Sequence, residues 1–348
     1  MPTPKVSVCI ANYNYGRFIG ECIQSVLDQN FDSLEVIVVD NCSTDNSAEV
    51  VGGIADPRIR FFQNRFNLGM IGNYSRCMEL AQGDYLMLLD SDNAIAPGWL
   101  EEAVALLDAD PDIGFVYPGR MDIDEAGRPT GDRYGWPESH VWDAKEELRH
   151  LVITRLSVPF SAAVVRRSLA ETVGPLDTEA SYPFDIDFWA RICLQTAKTA
   201  YVNKPLLRYR SHEGRSSSYS SFQYEQNLYG MSNYKVVKLI GSKIPPGALP
   251  EWPQIEYEAL RRVATDVMYQ AIQNLSRGRY GSARDNLFLV LSFQRGVLLR
   301  PVWYGLFLIS LPGPLGGRWL GKVALGLTRG LRGGYRGRAR LRWLLDRV

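Results

Sequence analysis

The chain has 348 residues, of which 46% are hydrophobic and 22% charged, with a formal net charge of +1. That is an ordinary globular composition, long enough for one large α/β domain with appendages or for two smaller domains, and the whole-chain charge favours no acidic or basic partner. The five cysteines are odd in number and show no CxxC spacing, which argues against a disulfide framework or a zinc site and fits a reducing compartment.

Charge is nevertheless uneven. From Arg277 to Val348 there are thirteen arginines and Lys322 against Asp285 and Asp346, a net of +12, so one end is expected to meet an acidic surface. The first residues, MPTPKVSVCIANYN, hold no apolar segment of signal-peptide type before the first strand-like run.

Lys5 to Ala11 is a β-branched apolar run that reads as a buried strand. Phe18, Ile19, Cys22, Ile23, Val26 and Leu27 recur at helical spacing, which predicts a helix over Phe18 to Gln29. Leu34 to Asp40 is a second buried strand, followed by the cap-rich Asn41 to Ser47 and a helix from about Ser47. Ile59 to Gln63, a helix over Asn73 to Leu80, and the strand Tyr85 to Leu89 complete a β-α alternation. The polar clusters follow the strands, so the pattern implies a mostly parallel sheet whose ligands bind at the carboxyl ends. Beyond it come a helix over Trp99 to Leu107, a strand over Ile113 to Tyr117, and a Gly-, Pro- and charge-rich stretch, Asp122 to Trp142, that reads as a long loop. A helix over Asp143–Leu151, a strand near Phe160–Val165, a flexible edge at Gly214–Ser221, and amphipathic helices over Tyr257 to Leu275 and Ser282 to Leu291 follow.

Four constellations bear on chemistry. Asp90-Ser91-Asp92 closes a hydrophobic strand, and two carboxylates so placed can converge on one hard cation, although DxD alone is a weak motif. Asp40 at a strand end can accept from a base imide or a ribose hydroxyl, while Asp45 and Ser47 read as helix caps. Asp185 and Asp187 lie inside Phe184-Asp185-Ile186-Asp187-Phe188-Trp189; one such desolvated carboxylate suits a general base, and Asp187 is the candidate for a helix N-terminal role. Arg208 to Arg215 surrounds His212, which suits diphosphate or metal; by itself the stretch reads as a solvated basic loop.

Taken in order, VSVCIANYNYGRFIGECIQSVLDQ, LEVIVVDNCSTDNS, NLGMIGNYSRCMELAQGDYLMLLDSDN, FDIDFWARI and YRSHEGRSSS resemble the inverting family 2 glycosyltransferases, over Val6 to about Ser217. The resemblance implies a GT-A fold: a mostly parallel, Rossmann-like sheet flanked by helices, here with a C-terminal helical extension. It implies that Ala11, Asn12 and Tyr13 line a base pocket and that Asp40 binds the base. Asn67 and Asn73 join the nucleotide-sugar contacts. Asp90 approaches ribose or metal, Asp92 binds the metal (Mg²⁺ or Mn²⁺), His212 lies near the diphosphate or the metal, and Asp185 is the catalytic base. Three positions depart from the family's frequent pattern: Ala11-Asn12 stands for Pro-Thr, Asn93 for an Asp, and Phe184 for the Glu before the base.

The organisation expected is a catalytic domain over 1–217, a helical extension over 218–291 and a basic amphipathic tail over 292–348. Arg295 and Arg300 interrupt the apolar segment Leu287–Leu311, so no spanning helix is expected, and the mix of Arg with Trp319, Leu320, Trp343 and Leu344 suits an anionic membrane surface. No nucleic-acid module accompanies the tail. The expected function is transfer from a nucleotide-diphosphate sugar, a UDP-sugar foremost, to a glycan or lipid-linked hydroxyl, in the cytoplasm on the inner membrane face. The alternative is a non-catalytic nucleotide-sugar or glycan-binding module. A nucleotidyltransferase or dehydrogenase is disfavoured because Asn12 to Arg17 is not a Gly-rich phosphate loop.

Overall fold

A computed structural model describes residues 3–133, 136–154, 158–181, 183–212 and 228–293, together with 304, 306, 307 and 310. The chain divides into two compact units, Met1–Arg215 and Ser216–Val348.

The first unit opens with β1 (Val6–Asn12), α1 (Gly16–Leu27), β2 (Leu34–Asp40), α2 (Ser47–Gly52), β3 (Ile59–Gln63), α3 (Gly69–Leu80) and β4 (Tyr85–Asp90). It continues through β5 (Ala94–Ile95), α4 (Trp99–Ala109), β6 (Ile113–Ile123), β7 (Pro129–Arg133), β8 (His140–Asp143), α5 (Ala144–Ile153), β9 (Val164–Arg166), α6 (Arg167–Val173), α7 (Phe184–Cys193) and β10 (Lys198–Arg210). These strands form one sheet in the order β3-β2-β1-β4-β9-β6-β10-β5, with β7 beside β6 and β8 beside β10. The six principal strands run the same way. The short β9 runs against both neighbours, β4 and β6. The architecture is thus mixed α/β around a mostly parallel sheet.

β1 and β2 are almost wholly buried because helices cover both faces, which is why their sequences are continuous apolar runs rather than alternating ones. On α1, Phe18, Ile19, Cys22, Ile23 and Val26 form the inward stripe, and Ile19, Cys22, Ile23 and Val26 enter one core with Val8, Ile10, Val36, Val38, Met87, Leu89 and Trp99. Glycine stands at the start of that helix because a Cβ there would run into the Asn46 side chain and the Ser47 amide.

The half of the sheet beyond β4 differs from the expectation. Asp122 to Trp142 is not one long loop: β6 runs on to Ile123 and turns at Gly127 (φ +80°) into β7, and β8 follows at the sheet edge. Polar edge strands lack the apolar face that periodicity detects. Arg208 to Arg210 belongs to β10 rather than to a solvated loop, and Arg210 is buried. The strand expected near Phe160–Val165 is the three-residue β9, and α6 is a helix beyond those the sequence predicts.

In the second unit, α8 (Leu228–Lys243), α9 (Trp252–Ser276) and α10 (Tyr280–Phe293) are helices. Val263, Val267, Ala271 and Leu275, one turn apart on α9, pack with Ala283, Leu287 and Val290 of α10. Gly278 (φ +75°) makes the turn between them. The stretch Gly214–Ser221 and nearly all of the basic tail lie outside the described residues.

Candidate active site

Parallel register places Asn12 opposite Asp40, and Asp40 opposite Gln63, at the carboxyl ends of β1, β2 and β3. The side chains meet there. Asp40, fully buried, accepts from Asn12 Nδ2 at 2.8 Å on Oδ1, and from Ser43 N at 3.0 Å and Gln63 Nε2 at 3.1 Å on Oδ2. Asn12 Nδ2 also reaches Ser43 Oγ at 3.3 Å, while Asn12 Oδ1 is enclosed with no hydrogen-bond partner among the described residues. A lone enclosed acceptor beside a fixed carboxylate suits a ligand that brings a donor. Ala11 is partly exposed at this rim and Tyr13 is exposed.

Asn67 and Asn73 sit differently. Asn73 is buried, and its Nδ2 donates to Val39 O at 3.0 Å and Asn12 O at 3.4 Å while its Oδ1 accepts from Asn64 at 2.9 Å. It braces the strand ends from beneath. Asn67 is exposed; its Oδ1 accepts from Asn41 Nδ2 and Gly69 N, both at 2.8 Å, which shapes the turn into α3. Asp45 accepts from Gly16 N at 2.8 Å and Ser47 N at 3.0 Å, so one carboxylate ties the starts of α1 and α2.

At the end of β4, Tyr74 of α3 donates its hydroxyl to Asp90 Oδ1, and Asn93 Nδ2 donates to Oδ2 at 3.1 Å. Ser161 Oγ accepts from the Asp90 amide at 2.9 Å and from Asn93 at 3.0 Å. Asp92 is buried, and its Oδ2 lies 3.1 Å from His212 Nε2. His212 Nδ1 lies 3.2 Å from Arg17 Nη2, and arginine only donates, so Nδ1 accepts and Nε2 donates to Asp92. Arg17 also pairs with Glu125, and the His212 ring packs against Phe18 at 4.7 Å and Tyr15 at 5.3 Å. Arg210 locks the segment beneath: its Nε donates to Asp92 O at 2.9 Å, its amide to Asn93 Oδ1 at 3.0 Å, and its Nη2 pairs with Glu21 at 2.6 Å.

Asp185 and Asp187 start α7 but face different surroundings. Asp187 is fully buried and pairs with Arg191 Nε at 2.9 Å; Arg191 also donates to Pro175 O at 3.0 Å. Asp185 is half-buried. Burial raises its carboxyl pKa to about 6 and the charge of Asp90 adds to the rise, against opposing hydrogen bonds from main-chain amides. Phe184 lies 6.3 Å from the Tyr74 ring and 5.1 Å from Phe160, so one aromatic group supports both Asp90 and the start of α7.

Asn12 with Asp40 and Asp92 with His212 are therefore pairs that the fold brings together, and the charge of Asp90 reaches Asp185. Tyr74, Gln63, Ser161, Arg17 and Arg210 are the partners that the sequence did not reveal. Among the described residues no group of three or more metal-ligating side chains converges.

Residues 7–174 match the family model described as Glycosyl transferase family 2. An uncharacterized glycosyltransferase of Haemophilus influenzae is 27% identical over 64% of this chain and 70% of its own length. The match spans between 61% and 70% of the length of three curated relatives. The crystal structure of S. aureus TarS 1-349 in complex with UDP-GlcNAc superimposes with a TM-score of 0.52 at 18% identity, covering 92% of this chain and 87% of that one. A mannosyltransferase of Pyrobaculum calidifontis in complex with GDP-Man and Mn²⁺ gives 0.53 at 16% identity, covering 94% and 87%. These likenesses establish the GT-A fold. A family match that begins in β1 and runs past the end of α6 takes in the whole Asp40, Asp90 and Asp92 face, and the N-terminal unit of the chain belongs to glycosyl transferase family 2.

Proposed function

We propose that this chain transfers a sugar from a nucleotide-diphosphate donor to a hydroxyl acceptor by single displacement with inversion. The observation that carries the reading is Asp185, a half-buried carboxylate at the start of α7 with its pKa raised to about 6, within reach of the charge of the strand-end acid Asp90. A base of that strength is ionised at neutral pH yet strong enough to take a proton from an attacking hydroxyl. Asp40 and Asn12 Oδ1 supply acceptors for the donor's base, with Ala11 and Tyr13 at its edge. Asn67 and Asn73 shape the pocket. The TarS and mannosyltransferase complexes hold UDP-GlcNAc and GDP-Man, which supports a nucleotide-sugar donor here.

Asp92 and His212 would hold a divalent cation, the imidazole giving up to solvent the Nε2 proton that it otherwise shares with Asp92. One carboxylate and one imidazole already converge, and a hard cation such as Mg²⁺ or Mn²⁺ uses one or two protein carboxylates and completes its shell with phosphate oxygens. When bound, the ion would neutralise the departing diphosphate. Asp90 orients the donor, held by Tyr74 and Asn93, and Arg17 adds positive charge beside His212.

The acceptor belongs, in this reading, to a glycan or lipid-linked chain, and the basic tail holds the protein to the inner face of the membrane. No helix among the described residues is long and apolar enough to cross a membrane. Removing the residues after Leu291 should release the protein from anionic vesicles; equal partition of the two forms would end the anchoring proposal. The donor is tested by incubating the full chain with UDP- and GDP-sugars, with and without Mg²⁺ or Mn²⁺, and measuring nucleoside diphosphate release. The proposal predicts metal-stimulated release from one donor and an anomer inverted in the product; release from none would overturn it.

A further inference from the structure

At the far edge of the sheet lies an aromatic cluster that the chemistry above leaves unused. β8 pairs with β10 so that His140 faces Tyr201 and Trp142 faces Thr199. Around them, Trp142 stacks on His150 with centroids 5.2 Å apart and planes within 14°, Trp136 stands edge-on to Trp142 at 4.6 Å and to His150 at 4.7 Å, and His140 lies 3.9 Å from Trp142. Trp136, His140, Trp142 and His150 all remain partly exposed.

Beneath the rings sits Glu147, buried on α5. It accepts from Trp142 Nε1 at 2.8 Å, Tyr117 hydroxyl at 2.9 Å and Thr199 Oγ1 at 3.3 Å. The Trp142 indole is therefore anchored directly to a buried carboxylate, and Trp136 packs edge-on against it. Burying a carboxylate is costly, and three donors are spent to make it tolerable. What this achieves is a cluster of flat rings packed in fixed orientation, each of them still partly exposed.

The chemistry of such a surface selects its occupant. Single-stranded nucleic acid also stacks on aromatic rings, but it needs a cationic groove for its phosphates. Here the charges beside His150 are mixed, Glu146 and Arg149. Flat, rigid, amphipathic rings with nearby polar edges suit a neutral ligand that has apolar faces and peripheral hydroxyls. We propose that this cluster is a platform for pyranose units of the acceptor glycan, remote from the sugar being transferred. The proposal rests on the glycosyl-transfer reading above. β10 links the two places: Tyr201 lies at the platform and Arg210 beneath Asp92, nine residues further along the same strand, roughly 30 Å at the rise of a β-strand, the reach of an extended oligosaccharide rather than of a single sugar.

The test uses the full chain, tryptophan fluorescence, and cello- and chito-oligosaccharides of one and four units. The tetrasaccharide should bind more tightly than the monosaccharide. Trp136→Ala should weaken that binding about tenfold, the factor that 1.4 kcal/mol makes, and Trp136→Phe should restore most of it. Should Trp136→Ala fail to fold by circular dichroism, His150→Ala is read in its place. Absence of any saccharide response in the wild type, or equal affinities in wild type and both ring-deleted variants, would overturn the platform. Transfer activity without saccharide binding would remove the platform alone; saccharide binding without turnover of any nucleotide-sugar would remove the transfer reading on which it rests.

Discussion

The two halves of the sheet treat their carboxylates in opposite ways. In the half built from β1 to β4, Asp40, Asp45 and Asp90 are surrounded by amides and hydroxyls that donate to them. In the half built from β6 to β10 and their helices, burial pushes the Asp185 carboxyl upward against only main-chain hydrogen bonds. Donors around an anion fix its position and keep it charged. Desolvation prepares a group to take a proton. The first half is made to grip and the second to react, and a transferase needs one of each.

That contrast is broken most sharply at Asp185. Asp185→Asn keeps the side chain's shape and removes the base, so turnover should fall by about 10²–10⁴-fold while donor affinity stays near that of the wild type. Wild-type turnover should rise with pH through about 6 and then level off, tracking ionisation of Asp185. The sign for stability is the reverse. A folded-state pKa raised above the unfolded value contributes stability that is complete below the unfolded pKa and lost as pH rises through about 6. Asp185→Asn should therefore be more stable than the wild type at pH 7.5 and lose that advantage near pH 4. Thermal melts at the two pH values, beside a pH–rate profile, check both limbs.

Asp187, two residues on, shows that sequence proximity does not make the two acids equivalent. It is fully buried and depends on Arg191. Arg191→Met should destabilise the first unit by about 3–5 kcal/mol, because it removes the guanidinium partner of a fully buried carboxylate, and denaturant titration reads the loss directly. A cost below about 1 kcal/mol, the size of an exposed pair, would mean that Asp187 is far more solvated than its enclosure implies.

Much of the gripping half was legible in the sequence, and less of the reacting half was. LEVIVVD announces a buried strand because both faces are covered and no polar residue interrupts it. Its terminal Asp40 then falls at a strand end by the same reading. β10 resists because Pro205 lies inside it, and the ladder slips its register on either side of that residue. β7 and β8 are short, polar edge strands. Asp185 could be singled out as an acid within an aromatic run, yet its Asp90 neighbour could not, since 95 positions separate them in the chain. Tyr74, Ser161 and Arg210 were hidden for the same reason: each is ordinary where it stands in the sequence and acquires a role only through a partner brought to it by the sheet.

Asp40 tests how far the gripping half depends on its donors. Asp40→Ala removes the acceptor of the buried Asn12 Nδ2, which keeps only its longer contact to Ser43 Oγ, and of the partly exposed Ser43 amide and the exposed Gln63 Nε2. Each unsatisfied buried group costs about 1–3 kcal/mol, less where water enters. The variant should lose stability in that range and lose donor affinity with it. Asp40→Asn can keep some of these contacts and should fall between. Calorimetric titration with the nucleoside diphosphate separates lost affinity from lost fold, and wild-type affinity in Asp40→Ala would remove this residue from the donor site.

The smallest effect belongs to Asp45, where gripping is purely structural. Desolvation opposes its ionisation, yet hydrogen bonds from Ser47 and the Gly16 amide outweigh that and hold its carboxyl below the usual range. Asp45→Ala should cost about 0.5–2 kcal/mol, the worth of a helix cap. Because the folded pKa is depressed, the stabilisation is present above the unfolded pKa and is lost as pH falls through the folded one. The gap between wild type and variant should thus be full at pH 6 and shrink on acidification below pH of about 4, the ordinary carboxylate range. Nucleotide-sugar turnover at pH 7 should change far less than in the Asp40 variants. A gap that stays constant down to strong acid would show that Asp45 stabilises the two helix starts by packing rather than as an anion.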